Sequence, residues 1–266
     1  MIQEIIHHLP ENHPWQDKIT YYDLIPSTND LAKEMAKAHA PEGTVLVAAA
    51  QSAGRGRMGR SFYAPAGLGL YFSLILRPMC PPEQLLHLTC ATAVAACDAV
   101  ETLTGFRPQI KWTNDLVAKG KKLGGILTEL SVSRKTGLVE WAVIGIGINC
   151  CHQKNDFPTE LQDMATSLLQ ITGNPFSPNH LAAYLTESFY RMNEKLLSQR
   201  DAIIQSYCQD CMTVGKEIVL IRGDEKRYGL AMDIANDGGL VVRFQDGTTE
   251  TVQSGEVSVR GLYGYV

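Results

Sequence analysis

Ten residues, Gln51-Ser52-Ala53-Gly54-Arg55-Gly56-Arg57-Met58-Gly59-Arg60, most narrow what this chain can fold into. They follow an apolar run, residues 44–50, that reads as a strand. Glycine lets backbone N–H groups come close to a ligand. Arginine offers a planar fork of donors that fits carboxylate and phosphate oxygens. Together they describe a loop at a strand end that wraps an anion, with a solvated charged hairpin as the plainer alternative. The spacing Gly54-x-Gly56-x-x-Gly59 matches the dinucleotide fingerprint in form, but that fingerprint must open a helix. Here Arg60 leads into Ser61-Phe62-Tyr63-Ala64-Pro65-Ala66-Gly67-Leu68-Gly69, where a proline and two glycines argue against one. No Gly-Lys-Ser/Thr closes a phosphate loop. A nicotinamide dehydrogenase is thereby set aside.

The bulk of the chain frames this loop. Its 266 residues allow one large domain, or a large one with a small one. A net charge of −4 gives no global field toward nucleic acid or membrane, so the three arginines are a local feature. No apolar run reaches the ~18 residues of a membrane span, and no signal peptide is legible at the N-terminus. The seven scattered cysteines read as reduced thiols of a cytoplasmic protein. Cys208-x-x-Cys211 has neither a βαβ setting nor a second ligand pair, so reduced thiols are the plainer reading than a redox or metal role.

Along the chain, residues 1–18 carry no clear pattern. Residues 19–25 read as a strand ended by Pro26. Ser27-Thr28 then stand where an N-cap belongs, before a helical run over residues 30–38. Residues 69–76 read as a buried strand, and a long helix is expected from Pro81-Pro82 to about Thr104. Three further strands cover residues 108–112, 122–130 and 140–149. Their ends carry Lys111-Trp112-Thr113-Asn114-Asp115, Gly124-Gly125 and Gly145-Ile146-Gly147-Ile148-Asn149. Several strand ends thus bear Gly, Lys or Asn, which suggests one composite pocket. Residues 150–176 read as loops, followed by helices over about 179–197 and 201–211. From Val214 onward, short alternating strands and turns at Arg222-Gly223-Asp224, Asn236-Asp237-Gly238-Gly239 and Asp246-Gly247 predict a small all-β barrel.

Taken together, Ser27-Thr28-Asn29, the Gln51–Arg60 loop, Lys111-Trp112-x-Asn114-Asp115, Lys122-Leu123-Gly124-Gly125-Ile126-Leu127-Thr128-Glu129 and the Gly145–Asn149 segment closely resemble the biotin protein ligases. Each motif alone is weak, and five in this order are strong. The resemblance runs from about residue 19 to the end. It implies an α+β catalytic domain related to class II aminoacyl-tRNA synthetases over residues 1–212, with an SH3-like barrel over 213–266. It implies biotin, ATP and Mg2+ as substrates and cofactor. Biotinyl-5′-AMP would form first, then pass its biotin to a lysine of a biotin carboxyl carrier protein.

The resemblance also implies roles for named residues. Lys111 would sit between carboxylate and phosphate and, with Arg57, carry the catalysis. Biotin would meet Ser27, Thr28, Asn29, Gln51, Gly54, Arg55, Gly56, Arg57, Lys111 and Trp112. Leu123 would help wall the slot, and Gly124 and Gly125 would leave room for the valeryl chain. The nucleotide would meet Arg55, Arg57, Arg60, Phe62, Lys111, Asn114 and Asn149, with Asp115 or Asn149 available to Mg2+. Thr113 stands where the family usually has proline, which loosens the turn without removing chemistry. Phe62 stands where some members stack a tryptophan on adenine. Only 26 residues precede Ser27, too few for a winged-helix DNA-binding module of roughly 60 residues, so a monofunctional form without DNA as partner is expected. Either a monomer or a homodimer fits. A lipoate or octanoate ligase would not be expected to carry the Gly-Arg-Gly-Arg loop, and a non-catalytic biotin-responsive regulator would need a DNA-binding element. Having few apolar side chains to order it, the loop is expected to close over the adenylate and to be mobile without it.

Overall fold

The computed structural model describes residues 1–222, 224–253 and 256–259. In chain order the elements are α1 (Ile2–His7), β1 (Ile19–Tyr22), α2 (Thr28–Lys37), β2 (Val45–Ala48), β3 (Gly69–Leu76), α3 (Leu88–Thr104), β4 (Gln109–Lys111), β5 (Asp115–Ala118), β6 (Lys121–Val132), β7 (Val139–Asn149), α4 (Leu168–Thr172), α5 (Pro178–Lys195) and α6 (Arg200–Asp210). The strands β8 (Glu217–Arg222), β9 (Glu225–Ile234), β10 (Leu240–Phe244), β11 (Thr249–Val252) and β12 (Glu256–Val259) follow. The first seven strands form one mixed sheet in the order β1-β2-β3-β7-β6-β5-β4, with β1 and β2 parallel and the other pairs antiparallel. The last five form a separate antiparallel sheet in the order β11-β10-β9-β8-β12.

Every residue of β3 is buried, because helices cover both faces of the main sheet. On one face, Ala32 and Ala36 of α2 pack on Leu46, Ile75, Trp141 and Val143. Small alanines let the helix lie close to the branched and aromatic side chains of the strands. On the other face, α3 and α5 cover Leu70, Phe72, Leu74 and Leu76, and Phe72 meets Phe189 edge-on at 5.6 Å. Such a pair contributes about 1 kcal/mol beyond its buried area. Helix α2 starts on Ser27, whose Oγ accepts from the Asp30 N–H at 3.4 Å. At its other end Arg77, just past β3, donates to the carbonyls of Ala36 and Ala40 at 2.7 and 2.8 Å. A cation on the last carbonyls of a helix offsets its negative end.

The structure adds two elements to the sequence expectations, α4 within residues 150–176 and the strand β5, and differs again at the N-terminus and ahead of α3. Residues 1–18 are not featureless: Ile5 and Trp15 are buried against the core, and Trp15 meets Tyr190 of α5 edge-on. The helix expected from Pro81 is a 3-10 turn, Pro82–Leu85, and α3 starts only at Leu88. The turn centred on Gly223 and the chain end from residue 260 lie outside the described residues.

Candidate active site

The N-terminus of α2 supplies the floor of a pocket. Ser27, Thr28 and Asn29 are all buried, and Thr28 and Asn29 are tied to other elements. Thr28 donates to Gln51 Oε1 twice, from its N–H at 2.7 Å and from Oγ1 at 3.1 Å. With its oxygen held, Gln51 presents its NH2 group as the donor toward a ligand. Ser73 Oγ of β3 lies 2.8 Å from both Thr28 Oγ1 and Asn29 Oδ1. The Asn29 amide donates to Glu129 Oε2 at 2.9 Å. Lys33 bridges Glu129 and Asp30 at 2.8 and 3.0 Å, and Asp30 pairs with Arg55 Nε at 2.6 Å. One polar chain therefore runs from Gln51, through the floor, to the arginine-rich loop. Burial lowers the pKa of Lys33, but the Glu129 and Asp30 carboxylates more than offset this, so it lies above the ordinary lysine value.

Two glycines of β7 make room for this arrangement. A Cβ on Gly145 would lie 1.9 Å from Asn29 Oδ1, and one on Gly147 would lie 2.6 Å from the Phe62 ring. The Gly-x-Gly of the strand is thus a pair of seats, one for the floor asparagine and one for the aromatic that follows the loop. Phe62 also meets Tyr71 edge-on at 6.3 Å.

Across the pocket, β4, β5 and β6 place Lys111 opposite Asp115, and Asp115 opposite Gly125. A register shift in β6 brings Lys122 beside Gly125, and its Nζ pairs with Asp115 Oδ1 at 2.7 Å. Asn114 is locked from two sides: its Nδ2 donates to the Ile126 carbonyl and its own carbonyl accepts from Ile126 N–H, both at 2.9 Å. The loop itself is a tight hairpin closed by Gly56 N–H to Arg60 O at 2.7 Å and Phe62 N–H to Gly54 O at 2.8 Å. From its tip, Arg57 Nη1 donates to Thr113 Oγ1 at 2.7 Å and to Asn114 Oδ1 at 3.0 Å.

One pocket is lined by Ser27, Thr28, Asn29, Gln51, Arg55, Gly56, Arg57, Arg60, Phe62, Lys111, Trp112, Asn114, Asp115 and Gly125, all expected from the sequence. Five basic side chains, those at 55, 57, 60, 111 and 122, face one carboxylate, Asp115, in that lining. Such a cavity suits an anion, and it suits charge that builds during a reaction.

Four of the expected residues lie outside this lining. Asn149 is buried outside the lining, where its Nδ2 donates to the Thr166 carbonyl at 2.9 Å. Gly124 is also outside: a Cβ there would strike the Gly147 carbonyl at 2.5 Å, so this glycine serves the close approach of β6 and β7. Leu123 belongs to the core, and Gly54 lies in the hairpin above the lining. Trp112 does touch the pocket, but its indole N–H donates to the Gly238 carbonyl of the C-terminal sheet at 2.9 Å. Lys122 is the charged lining residue to which the motifs assigned no role. Its signal was present, a lysine two residues ahead of a Gly-Gly at a strand start. Among the described residues no cluster of three His, Cys, Asp or Glu side chains is placed to hold a metal ion.

Lys122 also anchors the segment beside the site. Its N–H donates to Met164 O at 2.8 Å, and its carbonyl accepts from Thr166 N–H at 2.9 Å. That segment buries His152, stacked on Phe157 at 4.5 Å with both ring nitrogens unpartnered. Burial pushes His152 down from 6.5 to about 4. The unfolded chain therefore binds this proton near pH 6.5 while the folded chain does not. Stability falls as pH drops from about 6.5 to about 4, by roughly 3 kcal/mol for the full shift. His13 and His87, also lowered by burial, act in the same direction. Urea melts at pH 7.5 and 4.5 are expected to show this fall, and His152→Phe is expected to flatten it. An equally steep fall in that variant would remove His152 from the account.

Comparison with known proteins agrees with this geometry. Residues 21–149 match the family model described as "Biotin/lipoate A/B protein ligase family", and residues 213–260 match "Biotin protein ligase C terminal domain". The "Bifunctional ligase/repressor BirA" of Bacillus subtilis is 36% identical over 230 residues, which cover 86% of this chain and 70% of that one. A "Biotin--[acetyl-CoA-carboxylase] ligase" of Paracoccus denitrificans is 30% identical over 88% of this chain and 98% of its own. Among solved structures, the biotin protein ligase of Aquifex aeolicus in complex with biotin and ATP superposes with a TM-score of 0.76 at 27% identity, covering 91% of this chain and 98% of that one. Fold, pocket and sequence likeness coincide: this chain belongs to the biotin protein ligase family.

Proposed function

We propose that this enzyme activates biotin as biotinyl-5′-AMP and transfers it to one lysine of a biotin carboxyl carrier protein. The observation that carries the reading is the cationic pocket closed on one side by a fixed amide donor. The Gln51 NH2 group, set by Thr28, faces the ureido carbonyl of biotin, with Asn29 beside it. Gly125 leaves space for the valeryl chain. In the first step a biotin carboxylate oxygen attacks the α-phosphorus of ATP; the new O–P bond forms as the Pα–O–Pβ bond breaks and pyrophosphate leaves. Both partners are anions, so Arg57, Arg60, Lys111 and Lys122 offset their repulsion and the charge gathered at phosphorus. In the second step a lysine amine attacks the acyl carbon, an amide forms, AMP departs and the amine loses its proton to solvent. Phe62 offers a ring face to the adenine.

Mg2+ bound with the nucleotide would offset phosphate charge, and Asp115, the carboxylate of the lining, is the side chain that would help hold it. Asn149 lies outside the pocket lining, with its NH2 group donating to the Thr166 carbonyl, so this reading gives it no part in holding the ion. The same reading takes the main sheet and its helices as a class II synthetase-like catalytic domain ending at residue 212, and the five-stranded sheet as an SH3-like barrel. The family match that begins at residue 213 supports that division. Seven free thiols support a reducing, cytoplasmic setting.

Incubation with biotin, MgATP and a carrier domain is expected to add the mass of one biotin to that domain. No mass gain, with adenylate also absent, would refute the reading. Biotin with ATP is expected to raise the melting temperature, whereas lipoate with ATP leaves it in place.

A further inference from the structure

Arg57 reaches the pocket from a hairpin that gives it no apolar anchor. No residue of its tip, Arg57–Gly59, is buried, and Met58 is 69% exposed. What fixes the Arg57 side chain is a pair of acceptors across the pocket, Thr113 Oγ1 at 2.7 Å and Asn114 Oδ1 at 3.0 Å, both on Nη1. Those acceptors are themselves tied into the fold. The Thr113 carbonyl accepts from the fully buried Tyr207 hydroxyl of α6 at 3.1 Å. The preceding residue, Trp112, donates its N–H to Thr213 Oγ1 at 2.9 Å. Asn114 is clamped on Ile126, which turns its oxygen toward Arg57.

We propose that Thr113 is a positioning residue: its hydroxyl holds one edge of the Arg57 guanidinium so that the other edge, Nε and Nη2, faces the anion in the pocket. This rests on the reading of the pocket as an adenylate site. A guanidinium offers two donor edges, and bidentate recognition of a phosphate needs one of them whole. Occupying Nη1 with protein acceptors leaves Nε and Nη2 as the intact pair. With Asn114 alone, the longer of the two bonds, the group can swing about a single contact and the phosphate loses a fixed partner. The consequence falls on retention of the adenylate, since Arg57 lies in the hairpin above it.

The test uses biotinyl-AMP formed by the protein from biotin and MgATP without carrier, freed of excess substrate by gel filtration. Release of the adenylate is then followed over time. Thr113→Val, which keeps the shape and removes the hydroxyl, is expected to release it about tenfold faster, the loss typical of one hydrogen bond to a charged group. Thr113→Ser is expected to restore wild-type release. In an Arg57→Ala background, Thr113→Val is expected to add nothing, which a merely structural role would not produce. Should Thr113→Val fail to fold, Thr113→Ala against Thr113→Ser makes the same comparison. Wild-type retention by the folded Val or Ala variant, leakage by the Ser variant, or an undiminished effect without Arg57 would overturn the role of Thr113 alone. A wild-type protein that forms no adenylate would overturn the ligase reading and this proposal with it.

Discussion

Lys111→Ala and Lys122→Ala are each expected to slow formation of biotinyl-AMP by about 10²–10³-fold, the usual cost of removing one preorganised charge from a developing anion. Both side chains line the same pocket, on strands joined through Asp115. Lys122 is oriented by its 2.7 Å contact with Asp115, and Lys111 lies directly across β4–β5 from the same residue. The Asp115 carboxylate fixes Lys122 and offsets part of the positive charge on that side of the pocket. The first step must bring a carboxylate against a triphosphate, so neither cation is dispensable. Pyrophosphate release from biotin and MgATP measures the step directly. Biotin affinity is expected to change far less, because the proposed function sets the ureido end on Gln51 and its neighbours, away from the lysines. Wild-type pyrophosphate release by either variant would remove that lysine from the first step. Asp115→Asn separates charge from geometry: a larger loss than either lysine variant would make orientation the main role of the carboxylate.

Gly145→Ala is expected to be the most damaging small substitution at the floor. The added methyl would sit 1.9 Å from Asn29 Oδ1, well inside contact distance. Asn29 must then leave its seat, and its links to Ser73 and Glu129 go with it. Overpacking together with newly unpaired buried polar groups costs about 2–4 kcal/mol. Biotin binding, read by titration calorimetry, is expected to weaken more than about tenfold, since Thr28 and Gln51 belong to the same hydrogen-bonded chain. Removing the obstacle in Asn29→Ala/Gly145→Ala is expected to return part of the stability in urea melts. Normal biotin affinity in Gly145→Ala would show that the floor tolerates the loss of Asn29.

Much of the site was legible because its chemistry is local in sequence. The hairpin announces itself by glycines and arginines in alternation, and the α2 N-terminus by Ser27 ahead of a helical run. The strand ends at 111–115 and 145–149 carry their polar residues within a few positions. What was not legible depends on register and on which face of a strand a side chain takes. Asn149 and Gly124 lie in the right motifs and still point into the scaffold, because neighbouring strands and the 164–166 segment claim them. Lys122 lies in a motif read for its glycines, and a register shift in β6 is what carries it to Asp115. The Lys33–Glu129 link joins residues 96 apart through the sheet, and no spacing in the sequence reports it. Residues 1–18 failed for another reason: a six-residue helix and one buried tryptophan make too short a pattern to show a period.

The seam between the strand end at Trp112 and the C-terminal sheet has a thermodynamic consequence. The Trp112 indole closes on Gly238, its backbone on Thr213, and Tyr207 on the carbonyl of Thr113. Those bonds join the segment next to Lys111 to parts of the chain about a hundred residues away, and melting of the small sheet leaves the buried Trp112 indole N–H unpaired beside that lysine. Cooperativity between the two sheets is thus built into the pocket wall, and a chain severed after residue 212 would lose Thr213 and Gly238, two of the partners that hold the strand end beside Lys111, rather than just an appendage.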